Sequence, residues 1–464
     1  MKKIVLLNLF IFIVLMISGC NVKFITDEDD KQASVFTFER LFDDENYKEI
    51  TIRITTFEWE RFIALQRQNL EDYNTVRIDE YIASDLIYKD SLGETIIEDI
   101  GIRNRGNTSI DMIVDDQNNP KIAHFKLNFR YDFKGTKPEY SKRRGFGLKE
   151  LDLKYNKNSD PTYMSENFSM EMFQHYDQNA QETSHALLYL EIGGVKYAYG
   201  LYTIFEPIDD VFIERRFEKE HDKGDLYKVL WQGYGPASLQ GLYDPLMVGE
   251  ETLLYHPNYD LKTNNDILEN KHSKLKSFIS QINKLEGDIF EQYITKLFDV
   301  PSFLKYLAIN VYLGNPDDYR AMGNNYYLYL DPVENQWLLI PYDYDHSVGV
   351  GWNPQGNFTI GLDIYEWMNQ MAILTWDSYY QPILVQKILG IPKFKTLYTT
   401  YIETIYNDSY FTFDNFYSRY LKTKNLYKDK VSETMIPVQF TRGNSEWYIE
   451  NKRADIQNQL NQYL

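Results

Sequence analysis

Apolar side chains alternate with polar ones over residues 50–56, and a strand is expected there. Residues 97–105 form a second strand candidate that runs into a turn at Gly106-Asn107. Over 124–130 the alternation returns: Phe125, Leu127 and Phe129 share one face, and Lys126 and Asn128 the other. Residues 187–192, Gly193-Gly194 and residues 195–205 read as a hairpin. Helical spacing is found over 58–68, where Trp59, Phe62, Ile63 and Gln66 fall on neighbouring turns. Residues 209–217 begin another helix, and 266–313 are helical in period, interrupted at Pro301. A second hairpin is expected from 326–330 and 337–341 around a turn at 331–335. From Pro382 onward the period is mostly helical, with Tyr and Phe in the apolar positions. The chain shows no repeats. A β-rich N-terminal part followed by a helical part gives an α+β fold class.

The N-terminus changes the picture. Lys2 and Lys3 precede an apolar run over 4–17, shorter than a membrane span requires. The run ends in Ile17-Ser18-Gly19-Cys20, where small residues precede the single Cys of the chain. This resembles a bacterial lipoprotein signal, in which the Cys becomes the mature N-terminus and carries lipid. Residues 1–20 are then a signal peptide and Cys20 is the lipidation site. Asn21 to Ser34 form a polar leash within an acidic linker over 21–48. The expected location is the cell membrane, on its extracytoplasmic face, held by the lipid anchor. No second Cys exists for disulfides or thiol catalysis. A formal net charge of −19 repels phosphate backbones, so nucleic acid is not an expected partner. It leaves room for a locally basic pocket. The 464 residues, 43% of them hydrophobic, suffice for one large domain with an extension or for two domains.

The candidate chemistry gathers at the second hairpin. Antiparallel pairing brings the start of one strand beside the end of the other, so Asn325 and Asp343 are expected as neighbours. Asp317 and Asp318 lie in the loop entering the hairpin, and Asp345 follows Asp343. Protein kinases use the same order: a catalytic Asp, an Asn, a short hairpin, then an Asp on magnesium. The spacing differs, because the gap from Asp317 to Asn324 and Asn325 is longer, and no HRD or DFG triplet is present. A calcium-binding or solvated acidic loop remains the plain alternative. A hydrolase using Asp343 and Asp345 as a carboxylate pair is another. His346 reads as a loop residue.

The segment GNPDDYRAMGNNYYLYLDPVENQWLLIPYDYDHSVG, residues 314–349, resembles the signature of the CotH family, the spore coat protein kinases. GIRNRGNTSI, KIAHFKLNF, LKELDLKYNKNSDPTYMSENFSMEMF, YLEIGGVKYAYGLYTIFEPIDDVFI and GDLYK resemble further family segments in the same order. The chain departs from the pattern in Pro341-Tyr342-Asp343, where Pro-Trp-Asp is commoner, and in the second acid Asp318. The resemblance implies an atypical protein-kinase-like fold over 49–390, followed by a helical C-terminal extension over 391–464. It implies transfer of the ATP γ-phosphate to Ser of a protein substrate, with Mg or Mn as the metal. Asp317 resembles the catalytic-loop Asp and Asp343 the metal Asp, with Asn325 and Asp345 as supporting ligands. Trp337 is either an adenine-stacking aromatic or a cross-strand packing residue. Lys126, Arg103, Arg105 and Lys228 are candidate phosphate contacts, and Glu206 a residue to hold a Lys or metal in place. Gly106, Asn107 and Thr108 either offer backbone N–H groups to phosphate or form a plain turn. The second reading keeps the same fold in a catalytically silent surface-binding lipoprotein or adhesin.

Overall fold

The computed structural model describes residues 37–265, 271–351, 359–367, 382–431, 434–435 and 439–463. The expectations for residues 1–36, including Cys20 and the leash, lie outside them. No helix among the described residues is long and apolar enough to cross a membrane.

Seven strands close into a barrel: β1 (Lys48–Ile54), β2 (Ile82–Asp90), β3 (Gly93–Asn104), β4 (Phe125–Asn128), β5 (Glu150–Tyr155), β6 (Thr183–Ile192) and β7 (Val195–Phe205). Their order is β1-β2-β3-β4-β5-β7-β6, and a parallel pairing of β6 with β1 completes the circuit. Strict alternation of burial along β2 shows the cause: Ile82, Leu86 and Tyr88 fill the interior while their neighbours face out. Helix α1 (Thr56–Tyr73) starts at Thr55, whose side chain accepts from the Glu58 N–H, and ends at Asn74 in the left-handed conformation. Its buried residues are Trp59, Phe62, Ile63 and Gln66, the face read from the sequence. Helix α2 (Ser165–His175) leads from β5 towards β6.

After α3 (Asp210–Arg216) comes a five-stranded sheet with β8 (Asp225–Val229), β9 (Val248–Gly249), β10 (Tyr259–Leu261), β11 (Tyr326–Asp331) and β12 (Gln336–Pro341). Its order is β12-β11-β8-β10-β9. The second hairpin therefore does not stand alone. β11 is buried along its whole length and pairs on its other side with β8, from Tyr326 opposite Val229 to Leu330 opposite Asp225.

The helical part contains α4 (Ser273–Lys284), α5 (Gly287–Leu297) and α6 (Val300–Leu313). The helical stretch over 266–313 thus breaks twice, before Gly287 and before Val300, and not at Pro301. Pro301 lies in the first turn of α6, where a missing N–H is harmless, and Asp299 caps that turn. Residues 266–270 lie outside the described ones. Helix α6 is apolar on nearly all sides and runs through the core. Helices α7 (Ile383–Leu389), α8 (Pro392–Asn407), α9 (Phe413–Tyr427) and α10 (Ser445–Tyr463) follow.

Two boundaries need correction. Residues 37–47 were expected to belong to a linker, yet Phe38 and Leu41 are buried and Arg40 makes a buried ion pair with Asp90. Residues 391–464 were expected as an extension. Tyr398, Ile402, Phe416, Tyr420, Tyr448 and Ile456 instead share one continuous apolar core with α6. The barrel interior forms a second, separate core. The molecule is a mixed α+β protein, with a barrel on one side and a sheet and helices on the other.

Candidate active site

A cleft of about 770 Å³ opens between the outer face of β3, β4 and β5 and the open end of the β11–β12 hairpin. Alternation builds the barrel wall. Leu151 and Leu153 point inward on β5, so Glu150, Asp152 and Lys154 line the cleft. Register aligns Arg103 on β3 with Lys126 on β4 and Asp152 on β5. Lys126 lies 2.7 Å from Glu150 and 3.3 Å from Asp152. Arg105 lies 3.3 Å from Asp152 and donates to the Tyr342 hydroxyl at 3.2 Å. The phosphate candidates Arg103, Arg105, Lys126 and Lys228 all line this cleft. Gly106, Asn107 and Thr108 line it too, and a Cβ on Gly106 (φ +134°) would come within 2.6 Å of Ser109 Oγ.

The hairpin wall supplies the acids. Asn325 (φ 53°) and Asp343 (φ 60°) both take the left-handed conformation, which Asn and Asp tolerate best. These residues flank the Tyr326–Pro341 pair that closes the hairpin ladder. Asp317 receives hydrogen bonds from Asn324 Nδ2 at 2.7 Å and Asn325 Nδ2 at 3.0 Å. Burial, and then the charges of Asp343, Asp345 and Asp318, push the Asp317 carboxyl up to about 8 against the Asn324 bond. Asp318 turns away: it is buried against Tyr306 and Asn310 and caps the turn at Tyr319–Met322.

Lys154 joins the two walls. Its Nζ lies 2.5 Å from Asp343, 2.9 Å from Asp345 and 3.0 Å from Glu166 at the start of α2. Burial works to lower the Lys154 pKa, but the charges of Asp343, Asp345 and Glu166 hold it well above the ordinary value. Burial alone would raise Asp343, yet Lys154 and Arg105 bring it down to about 2. Glu166 is pushed up by burial and by Asp345 and Asp343, against Lys154. One oxygen from each of Glu166, Asp343 and Asp345 lies within 4.8 Å of the others. Three hard carboxylate donors are the type Mg or Mn takes, and the Lys154 ammonium contacts the same three carboxylates, so an ion there would displace it from part of them.

Some expected site residues are placed otherwise. Asn325 lines the cleft but commits its amide N–H groups to Asp317, and the carboxylate group beside Asp343 is completed by Glu166 instead. Trp337 is not in the cleft. Paired with Leu330, it packs against Phe278 and Tyr227 in the helical core. Tyr327, Tyr342 and Trp231 are the aromatics that line the cleft. Glu206 is fully buried behind the wall, bound to Arg216 at 2.6 Å, and holds neither a Lys nor the metal group. Asp343 and Asp345 converge on one ammonium instead of flanking a gap, which is not the layout of an acid and base pair. His346 bonds to the Gly351 carbonyl as part of its loop.

Sequence reading passed over Lys154 and Glu166. The signal for Lys154 was present: in LDLKY it shares the outward face with Asp152. Nothing local distinguished Glu166 from other acids near a helix start.

A comparison with curated proteins gives no match. A family model described as CotH kinase protein matches residues 102–463, most of the chain and both walls of the cleft. The chain therefore belongs to the CotH kinase protein family.

Proposed function

We propose that the protein is a metal-dependent kinase that transfers the γ-phosphate of ATP to a Ser hydroxyl of a protein substrate. The observation that carries this reading is Lys154. A strand lysine, paired with a glutamate of the next helix and with the acid beyond a hairpin, is the set protein kinases assemble around nucleotide phosphates. On this reading the barrel and the sheet correspond to the two lobes of a kinase-like fold.

When bound, Mg or Mn would supply positive charge that offsets the charge of the phosphates. Glu166, Asp343 and Asp345 would hold it. Lys154, freed from part of its acid load, faces the phosphates. Arg105 and Lys126 add positive charge along the barrel wall, although Asp152 and Glu150 neutralise part of it. Asp317, fixed by Asn324 and Asn325, orients the acceptor hydroxyl and takes its proton. Its proton affinity is raised first by burial and then by Asp343 and Asp345, so offsetting those charges would lower it and favour the carboxylate form that can accept the proton. Lipidation at Cys20 and an extracytoplasmic position belong to the same proposal. They are tested by labelled palmitate, whose incorporation is expected to be lost in Cys20→Ser.

The test of activity is incubation of the purified full chain with γ-labelled ATP, Mg or Mn, and a Ser-rich acceptor protein. Transfer is expected, and it is expected to vanish in Asp317→Ala and Asp343→Ala. Absence of both transfer and metal-dependent ATP binding overturns the proposal in favour of a silent surface-binding protein.

A further inference from the structure

The cleft wall contains a buried acceptor with no donor. Gln181, between α2 and β6, is 2% exposed and lines the cleft beside Pro207, Ile208 and Asp209. Its Nε2 donates to the backbone oxygen of Glu206 at 2.5 Å. That bond fixes which way the amide points, because the reverse orientation would set two acceptors against each other. The other end of the amide, Oε1, is buried and receives no hydrogen bond. An unsatisfied buried acceptor costs about 1–3 kcal/mol. Such a group calls for a partner, and beside a cleft a bound ligand can supply the donor.

Glu206 explains why Gln181 is held there. Its carboxylate accepts from Arg216 and from the Glu182 N–H, and its own N–H bonds the Glu182 carbonyl. Gln181 therefore rests on a fully bonded, rigid support.

The position along the cleft identifies the donor. Lys154 pairs with Thr203 in the β5–β7 register, and the chain reaches Glu206 three residues further on. At roughly 3.3 Å per residue this puts Glu206 about 10 Å along the wall from Lys154. That separation is comparable to the span from terminal phosphate to base in a nucleoside triphosphate. Pro207 and Ile208 give the adjoining wall an apolar surface for a flat ring.

Resting on the nucleotide-site reading above, we infer that Gln181 is the base-reading residue, its side-chain oxygen accepting from the exocyclic 6-amino group of adenine. A 6-oxo purine would present an acceptor to an acceptor and be rejected. The test is calorimetric binding of ATP, ITP and N6,N6-dimethyl-ATP to the full chain with Mg, for wild type and Gln181→Met. ATP is expected to bind wild type at least tenfold tighter than either analogue. In Gln181→Met, ATP and ITP are expected to converge to within about threefold through weaker ATP binding. Equal binding of the three by wild type, or an unchanged preference in a folded Gln181→Met, overturns the inference and leaves the nucleotide site standing. Binding of none overturns both. Should Gln181→Met fail to fold, the wild-type comparison of the three nucleotides decides alone.

Discussion

Lys154 in the cleft is mostly enclosed and Lys452 in the helical core fully buried, and their surroundings push them in opposite directions. Lys154 meets Asp343, Asp345 and Glu166, and these charges overcome burial to hold its proton firmly. Lys452 on α10 donates to the Thr359 carbonyl and lies 4.6 Å from the Trp367 ring centre. Among the described residues it makes no ion pair, and burial lowers it to about 7 against partial help from Asp455. The difference lies in the count of opposing charges. Three carboxylates share one ammonium at that point, and the proposed dication would offset the remaining acid charge. The helical core satisfies its lysine with a carbonyl and an aromatic face, and leaves no deficit for a ligand to fill.

Removing Lys154 strikes this comparison hardest. In Lys154→Met, phosphoryl transfer is expected to fall by at least about 10³-fold, as for loss of a group that stabilises developing charge. The metal-free variant is also expected to lose about 1–2 kcal/mol in urea unfolding, because three half-buried acids are left facing each other without their cation. Adding Mn is expected to recover the stability and not the transfer. Wild-type turnover in this variant would remove Lys154 from the mechanism. Next in size is Asp317→Asn, expected to lower transfer by about 10²–10⁴-fold while calorimetry shows unchanged ATP affinity. A matching loss of ATP affinity would make Asp317 a binding residue instead.

The metal deficit itself gives the third effect. Saturating Mn at a hundredfold its Kd is expected to raise unfolding stability by about 2.7 kcal/mol. In Asp345→Ala, at the same Mn concentration, most of that gain is expected to disappear. An equal gain in both proteins would place the ion elsewhere.

The sequence carried the local chemistry further than the long-range geometry. Alternation over 124–130 set Lys126 on the face away from Phe125 and Phe129, and that face is the cleft wall. The hairpin was readable because 326–330 and 337–341 bracket a turn, and its open end does carry Asn325 and Asp343. The expected Asn325–Asp343 proximity did not settle what each contacts. Asn325 turned to Asp317, and its left-handed backbone, like that of Asp343, re-aims the side chain in a way periodicity does not record. Trp337 was ambiguous for a different reason: an edge strand has two faces, and only the packing of Phe278 and Tyr227 shows which one is buried. Glu166 meets Asp343 through the closure of two layers, and local pattern does not encode that contact. The integration of 391–464 likewise depends on Tyr448 and Ile456 reaching the core around α6.

Lys452 supplies the smallest effect, and its sign is the informative part. Its folded pKa, about 7, lies below the ordinary lysine value, so the unfolded chain binds more protons between the two. Stability from this residue therefore rises as pH increases from about 7 towards 10, and the full penalty is present below 7. Lys452→Met keeps the apolar stem and removes the charge. It is expected to gain on the order of 1–2 kcal/mol at pH 6, after losing the bond to the Thr359 carbonyl, with the advantage gone near pH 10. Urea unfolding at the two pH values measures this, with transfer activity unchanged. A variant less stable than wild type at pH 6 would mean that the carbonyl and the Trp367 face compensate the charge fully. The contrast with Lys154 would then reduce to the number of acids nearby, with burial itself costing the helical core nothing.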